Sequence, residues 1–204
     1  MVNLIPSPES VMEILESTGA YRRGHFVYPN GKHASHYFQM PLAFRYYDNA
    51  RVLSVGLSRM FRMEKAISSR LPKVSVISPS PGGIMVAFGV REALSADQIY
   101  WAEMEEGKRQ FRQYIGESDV YPAIIVDDIV RSGRAIQETV DLVESVGSEV
   151  IGIGSLVRFE DSPNEFNGIP LKSLMTFDVN FYETEAEWKT SKSASDAEEE
   201  RVRF

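Results

Sequence analysis

Residues 123–136 read Ala-Ile-Ile-Val-Asp-Asp-Ile-Val-Arg-Ser-Gly-Arg-Ala-Ile. The four apolar residues Ala123–Val126 predict a buried strand that stops at two adjacent carboxylates, Asp127 and Asp128. After Ile129 and Val130 comes a small, basic loop, Arg131-Ser132-Gly133-Arg134-Ala135. Ile136, Val140, Val143 and Val146 then recur at helical spacing. The order is strand, acid pair, loop, helix N-terminus. A helix start presents free N–H groups and the positive end of its dipole, which suits a phosphate. Gly133 lets backbone approach closely, Ser132 adds a hydroxyl, and Arg131 and Arg134 add charge. Carboxylates at the strand end do not bind phosphate themselves but can accept hydrogen bonds from sugar hydroxyls, or face a metal or a developing cation. A phosphorylated sugar satisfies both halves.

The chain has 204 residues, 43% of them hydrophobic, which is enough for one ordinary domain. No apolar run approaches the ~20 residues of a membrane span, and residues 1–6 do not resemble a signal peptide. Zero cysteines exclude disulfides and thiolate metal sites and fit a cytoplasmic protein. A net charge of −7 argues against a nucleic-acid surface. An acidic protein that binds an anion must gather its cations locally.

A second strand–loop–helix unit repeats this logic. Val74–Ile77 predicts a strand, Ser78-Pro79-Ser80-Pro81-Gly82-Gly83 a loop, and Ile84 to Leu94 a helix. Gln98–Ala102 and Val150–Val157 predict further strands, and Leu171–Val179 an edge strand. Gly152-Ile153-Gly154 lacks the third glycine of a dinucleotide fingerprint and reads as strand packing. Between strands, Glu103–Tyr114 carries Lys108, Arg109 and Arg112 around Gly107, too polar for core, and predicts a projecting hairpin or mobile loop. Nearer the N-terminus, Ser7-Pro8 predicts a helix cap, Pro29-Asn30-Gly31 a hairpin turn, and Asp48 the cap of a helix through Val52, Leu53, Leu57, Met60 and Phe61. His33 and His36 sit in a turn-rich context without cysteines, so no metal ligand is expected from the protein. From Glu183 the composition turns polar, predicting a solvated helix or tail over 183–204. Strands alternating with helices imply a mainly parallel α/β sheet flanked by helices.

Residues 124–135 resemble the phosphoribosyl diphosphate (PRPP) motif of the type I phosphoribosyltransferases. The order of four segments between residues 10 and 180 is similar to the orotate phosphoribosyltransferases. That resemblance implies an N-terminal hood, mainly residues 19–45, in a single domain of residues 1–182. It assigns Asp127 and Asp128 to the ribose hydroxyls and Arg131, Ser132, Gly133, Arg134 and Ala135 to the 5′-phosphate. Ser80, Pro81, Gly82 and Gly83 go to the diphosphate, with a cis peptide at Ser80–Pro81. Lys108 and Arg109 close on the leaving group, making them, with the acid pair, the catalytic set. Phe26, Lys32, His33 and Tyr37 go to the base. Ala135 replaces a usual Thr or Ser, Met104 a usual Arg or Lys, and Asn30 and Ala34 two usual serines. The implied reaction transfers ribose 5-phosphate from PRPP to orotate in pyrimidine synthesis, with Mg²⁺ held through substrate oxygens and a homodimer as the assembly. A PRPP- or nucleotide-sensing protein without catalysis, or transfer to another base, are the alternatives.

Overall fold

The computed structural model describes residues 5–113, 115, 120–191 and 199–202. Ser7 caps α1 (Pro8–Ser17) by accepting the Ser10 N–H, with Pro8 in the first turn. Val11 and Leu15 on this helix are fully buried. Past Gly19, whose φ is +73°, β1 (Tyr21–Val27) and β2 (His33–Phe38) form the expected antiparallel hairpin. Then follow α2 (Pro41–Phe44), α3 (Tyr47–Arg62) and α4 (Lys65–Ser68). The cap of α3 is the extended Tyr46, not Asp48, which lies in the first turn where its charge favours the dipole. Leu53, Leu57 and Phe61 form the buried face as expected, whereas Val52 stays exposed.

The central sheet is built from β3 (Ser75–Ser78), β4 (Gln98–Glu105), β5 (Lys108–Phe111), β6 (Ala123–Val130), β7 (Val150–Phe159), β8 (Glu165–Phe166) and β9 (Ile169–Phe177). Its order is β5-β4-β3-β6-β7-β9-β8. The five inner strands run parallel, and only the outermost β5 and β8 are antiparallel to their neighbours. The expected edge strand is therefore β9, flanked by the two-residue β8. Strand β6 is longer than its apolar run predicts, because pairing with β7 continues through the acids to Val130.

Alternation along β6 splits its side chains between two cores. Ile124 and Val126 join α3 and α5 (Ile84–Leu94), and Ile125 joins Ile136, Val140 and Val143 of α6 (Arg134–Ser145). Gly152 and Gly154 make room for α3: a Cβ on Gly154 would lie 2.7 Å from the Phe61 ring. These glycines serve strand packing, as the sequence implies. After β3 the chain crosses outward to β4 and later returns to the other side of β3 as β6. The carboxyl ends of β3 and β6 therefore flank a topological switch point, where open α/β sheets bind ligands.

The chain end departs from the expected solvated tail. β10 (Phe181–Tyr182), α7 (Glu185–Thr190) and β11 (Glu199–Arg201) return to the hairpin, giving a hood sheet of order β10-β2-β1-β11. Trp188 is 1% exposed and donates from Nε1 to Ser35 Oγ at 2.8 Å. Average polarity over the segment conceals this single large apolar anchor. No described helix is long and apolar enough to cross a membrane.

Candidate active site

Both carboxylates stand at the switch point, but on opposite sides of their strand. Asp127 is 5% exposed; its Oδ1 accepts the Ser80 hydroxyl at 2.8 Å and the Asp128 N–H at 3.0 Å. Asp128 is half-buried and accepts the Ile129 N–H at 2.8 Å. Burial pushes the Asp127 carboxyl well above the usual carboxylate range, and the adjacent Asp128 charge pushes it further. Burial also raises Asp128, against the pull of the Ile129 N–H. The chain thus gathers two acids that resist ionisation, both at the edge of one cavity and Asp128 the more exposed.

The Ser80–Gly83 loop presses onto this pair. A Cβ on Gly83 would sit 2.6 Å from Asp127 Oδ1, and one on Gly82 would sit 2.9 Å from Asp128 Oδ2. The Gly83 N–H turns back to the Ser80 carbonyl at 3.2 Å and the Ser80 hydroxyl at 3.3 Å. The expected cis peptide is absent: Ser80–Pro81 is trans, and the cis bond among the described residues is Leu71–Pro72. The loop reaches the acids through the Ser80 hydroxyl and its bare glycines instead.

Across from it, the loop before α6 is open. Gly133, with φ +74°, turns the chain into the helix, and the Arg134 N–H donates to Ser132 Oγ at 3.4 Å. A cavity of about 230 Å³ lies here, lined by Ser80, Asp128, Arg131, Ser132, Gly133 and Ala135 among others. The acid pair, the hydroxyl loop and a helix N-terminus therefore converge on one space. Arg134 is not in its lining and pairs with Glu138 at 2.5 Å.

The predicted hairpin is β4–β5, turning at Glu106-Gly107; Tyr114, the last residue of the predicted segment, lies outside the described residues. Lys108 is exposed at its tip, as is Met104. Arg109 is held: its side chain is 10% exposed, bonded to Glu138 Oε2 at 3.1 Å and to the Pro79 carbonyl. It therefore ties the hairpin to the start of the Ser80–Gly83 loop and to α6.

Under the hood, a cavity of about 300 Å³ is lined by Asn30, Lys32, Arg131, Ser132, Phe159 and Phe181 among others. Arg131 and Ser132 border both cavities, so the hood and the loop before α6 share a wall. The Arg131 guanidinium lies 5.8 Å from the centre of the Tyr28 ring, whose hydroxyl burial pushes up to about 12. Of the four residues expected at the base, only Lys32 lines this cavity, paired with Glu183 at 2.7 Å. Phe26 and Tyr37 are buried against each other, 5.4 Å between centroids, and His33 turns to His25. Phe159 and Phe181 went unread in the sequence. Phe159 ends a parallel strand, and that position alone could have signalled it. Arg158 beside it fixes the following turn by donating to the Glu160 and Ser162 carbonyls at 3.1 and 3.0 Å.

A larger cavity of about 890 Å³ is lined by Arg51, Val55, Arg59 and Arg62 of α3 and does not include the acid pair. The smaller cavities hold the convergent chemistry.

A phosphoribosyl transferase domain model matches residues 105–170. An orotate phosphoribosyltransferase of Caldanaerobacter subterraneus is 31% identical over 177 residues, covering 87% of this chain and 88% of that protein. One from a Thermoanaerobacter species is 32% identical with the same coverage. Among solved structures, orotate phosphoribosyltransferase from Aeropyrum pernix aligns with a TM-score of 0.65 at 21% identity, covering 82% of this chain and 93% of that one. At this identity over most of both chains, the chain belongs to the type I phosphoribosyltransferase family, in its orotate phosphoribosyltransferase branch.

Proposed function

We propose that this protein transfers the 5-phosphoribosyl group of PRPP to orotate, releasing diphosphate and giving orotidine 5′-phosphate for pyrimidine synthesis. The observation that carries this reading is the shared wall. A cavity with the acid pair and an anion-receptive helix start adjoins, through Arg131 and Ser132, a second cavity lined by Phe159 and Phe181, by Lys32 and Arg131, and by Glu160 and Asp161. The first suits the sugar phosphate and the second a planar, polar base whose carboxylate Lys32 or Arg131 can meet.

In the reaction the bond from the anomeric carbon to the diphosphate oxygen breaks, and a bond to a ring nitrogen of the base forms. The sugar becomes cation-like between the two events. Asp128 holds the ribose and offsets that developing charge, while Asp127, locked by Ser80, positions it. Ser132, Gly133 and Ala135 receive the 5′-phosphate, aided by Arg131 and Arg134. Gly82 and Gly83 bring backbone beside the diphosphate. Lys108, from the hairpin tip, and Arg109, already at the loop's start, stabilise the leaving group. Lys32 and Arg131 face the base.

Carboxylate and hydroxyl oxygens at Asp128 and Ser80 are the hard donors Mg²⁺ accepts, so the site fits that ion, held mainly through substrate oxygens. When bound, Mg²⁺ neutralises charge on the departing diphosphate. We also infer a homodimer. Tyr47 and Val52 of α3, Met63 at its end, and Met85 and Phe88 of α5 remain exposed on helices that pack side by side. A cysteine-free chain suits the cytoplasm.

The test is diphosphate release with PRPP and Mg²⁺ in the presence of orotate, uracil, hypoxanthine or adenine. Turnover with orotate alone is expected. Turnover only with another base would change the substrate, and PRPP binding without any turnover would make the protein a sensor.

A further inference from the structure

The sequence pairs His33 with His36 only to reject them as metal ligands, and the fold parts the two. His36 Nδ1 meets the Tyr21 hydroxyl at 2.7 Å, whereas His33 Nδ1 faces His25 Nε2 at 2.8 Å. Parallel pairing of β11 with β1 sets Glu199 beside His25. One ligand atom from each of His25, His33 and Glu199 then lies within 4.8 Å of the others. The two arms of one hairpin and a strand far along the chain thus bring two imidazoles and a carboxylate to one point.

The arrangement is built rather than loose. His25 is 3% exposed and stacks flat on Trp188, with centroids 3.7 Å apart and planes at 7°. The β1–β2 register shifts between Arg23 and Phe26, and such a bulge re-aims the side chains around it. His25 is thereby sandwiched among Trp188, His33 and Glu199. The contact between the rings uses one proton and two ring nitrogens, and a cation between them would take both lone pairs. Zinc–nitrogen bonds of ~2.0–2.1 Å in a tetrahedral site set two nitrogens ~3.3 Å apart, so the rings need part by only about half an ångström. Around them, the Glu199 carboxylate also meets exposed Arg201 at 3.3 Å, a weak surface pair that a metal can displace. Glu185, paired with Lys189 at 2.6 Å, also lies within electrostatic reach of both rings.

We propose that His25 Nε2, His33 Nδ1 and a Glu199 carboxylate oxygen form a site for a divalent cation of the zinc class, with water as fourth ligand. Two imidazoles and one carboxylate are borderline ligands that favour this class over Mg²⁺. Its role is a staple: β11 is held to β1 by three residue pairs, and the metal adds a bond from that strand to both arms of the hairpin. The same hairpin carries Asn30 and Lys32 into the hood cavity, so the staple also steadies the roof of that cavity.

The test uses full-length, untagged protein treated with chelator and then titrated with Zn²⁺ by calorimetry, with Co²⁺ absorption as a coordination readout. One Zn²⁺ per chain, a higher melting temperature, and the visible bands of tetrahedral Co²⁺ are expected. His33→Gln and Glu199→Gln, both at partly exposed positions, should each weaken Zn²⁺ binding roughly 10-fold or more. His36→Gln should leave it unchanged. Zinc-free turnover of Glu199→Gln should match the parent. No stoichiometric binding, or affinity that both variants retain, would overturn the site. So would loss on His36→Gln without loss on His33→Gln.

Discussion

The loop after β3 and the loop after β6 leave neighbouring parallel strands at the same end of the sheet, yet they are built differently. Residues 78–83 close down on the acids: bare glycines let backbone approach Asp127 and Asp128, and the Gly83 N–H is turned inward. Residues 131–135 stay open around a cavity, and their glycine serves for its dihedral, φ +74°, as well as for its contact with Phe166. One loop packs against the acids, and the other leaves a cavity beside a helix start. A strand–glycine loop–helix pattern in sequence does not distinguish these uses, because glycine supports close approach and positive φ alike.

If Asp128 is the acid that faces substrate, Asp128→Asn breaks the receiving side at its centre. The variant should fold and lose ~10²-fold or more in kcat/KM, about 2.7 kcal/mol of transition-state stabilisation, measured by diphosphate release. Near-parental rates would remove Asp128 from the reaction and turn the comparison around.

The two glycines sharpen the contrast. In Gly83→Ala the new Cβ meets Asp127 Oδ1 at 2.6 Å, Ser78 Oγ at 2.7 Å and the Asp127 Cα at 3.1 Å, so backbone must shift. Overpacking of this kind costs ~1–3 kcal/mol. In Gly133→Ala the left-handed φ costs ~1–2 kcal/mol, and the Phe166 ring edge at 2.8 Å adds crowding. Both should lower the melting temperature. Gly83→Ala should depress kcat more than PRPP affinity, and Gly133→Ala the reverse. The same kinetic signature in both would mean the loops share one task.

Much of this was legible beforehand where local chemistry and tertiary packing agree. The cap at Ser7, the turn at Asn30-Gly31 and the strand Ala123–Val126 each rest on neighbours in sequence. Long-range features were not. Asp127 and Asp128 read as equivalent, and only the Ser80 hydroxyl, 47 residues away, makes one of them buried and held. Phe26 and Tyr37 are assigned to the base by resemblance alone, and a hairpin pattern does not say that their rings pack on each other. Trp188 vanished into a polar average, though a single buried indole suffices to dock a short helix. Arg109 read as a free cation, and Glu138 holds it from another element.

Ala135 tests the open loop from the other direction. It lines the cavity at the first turn of α6, where a hydroxyl would face a bound phosphate. A hydrogen bond to a charged group contributes ~1.5–3 kcal/mol, so Ala135→Thr should tighten PRPP binding ~10-fold or more in calorimetry. Unchanged affinity would show that the cavity does not hold the 5′-phosphate at that turn.

The smallest effect is on stability and concerns Asp127. Its carboxyl is raised well above the reference value of 3.8 by burial and by Asp128, so the native state keeps its proton to higher pH than the unfolded chain. As pH rises past 3.8 the unfolded chain releases that proton first. The native state then binds more protons, and stability falls with rising pH until the native carboxyl has ionised. In Asp127→Asn the amide keeps an oxygen for the Ser80 hydroxyl and the Asp128 N–H and never ionises, so this loss disappears. The variant should match the parent near the acid end and exceed it at neutral pH by about 1 kcal/mol, or ~2–4 °C in melting temperature. Its catalytic rate should fall, because the charge that costs stability also orients Asp128 and the sugar. Melting curves at a series of pH values give the answer: a gap that stays flat with pH, or narrows as pH rises, would mean that the buried carboxylate is not strained and that Ser80 alone satisfies it.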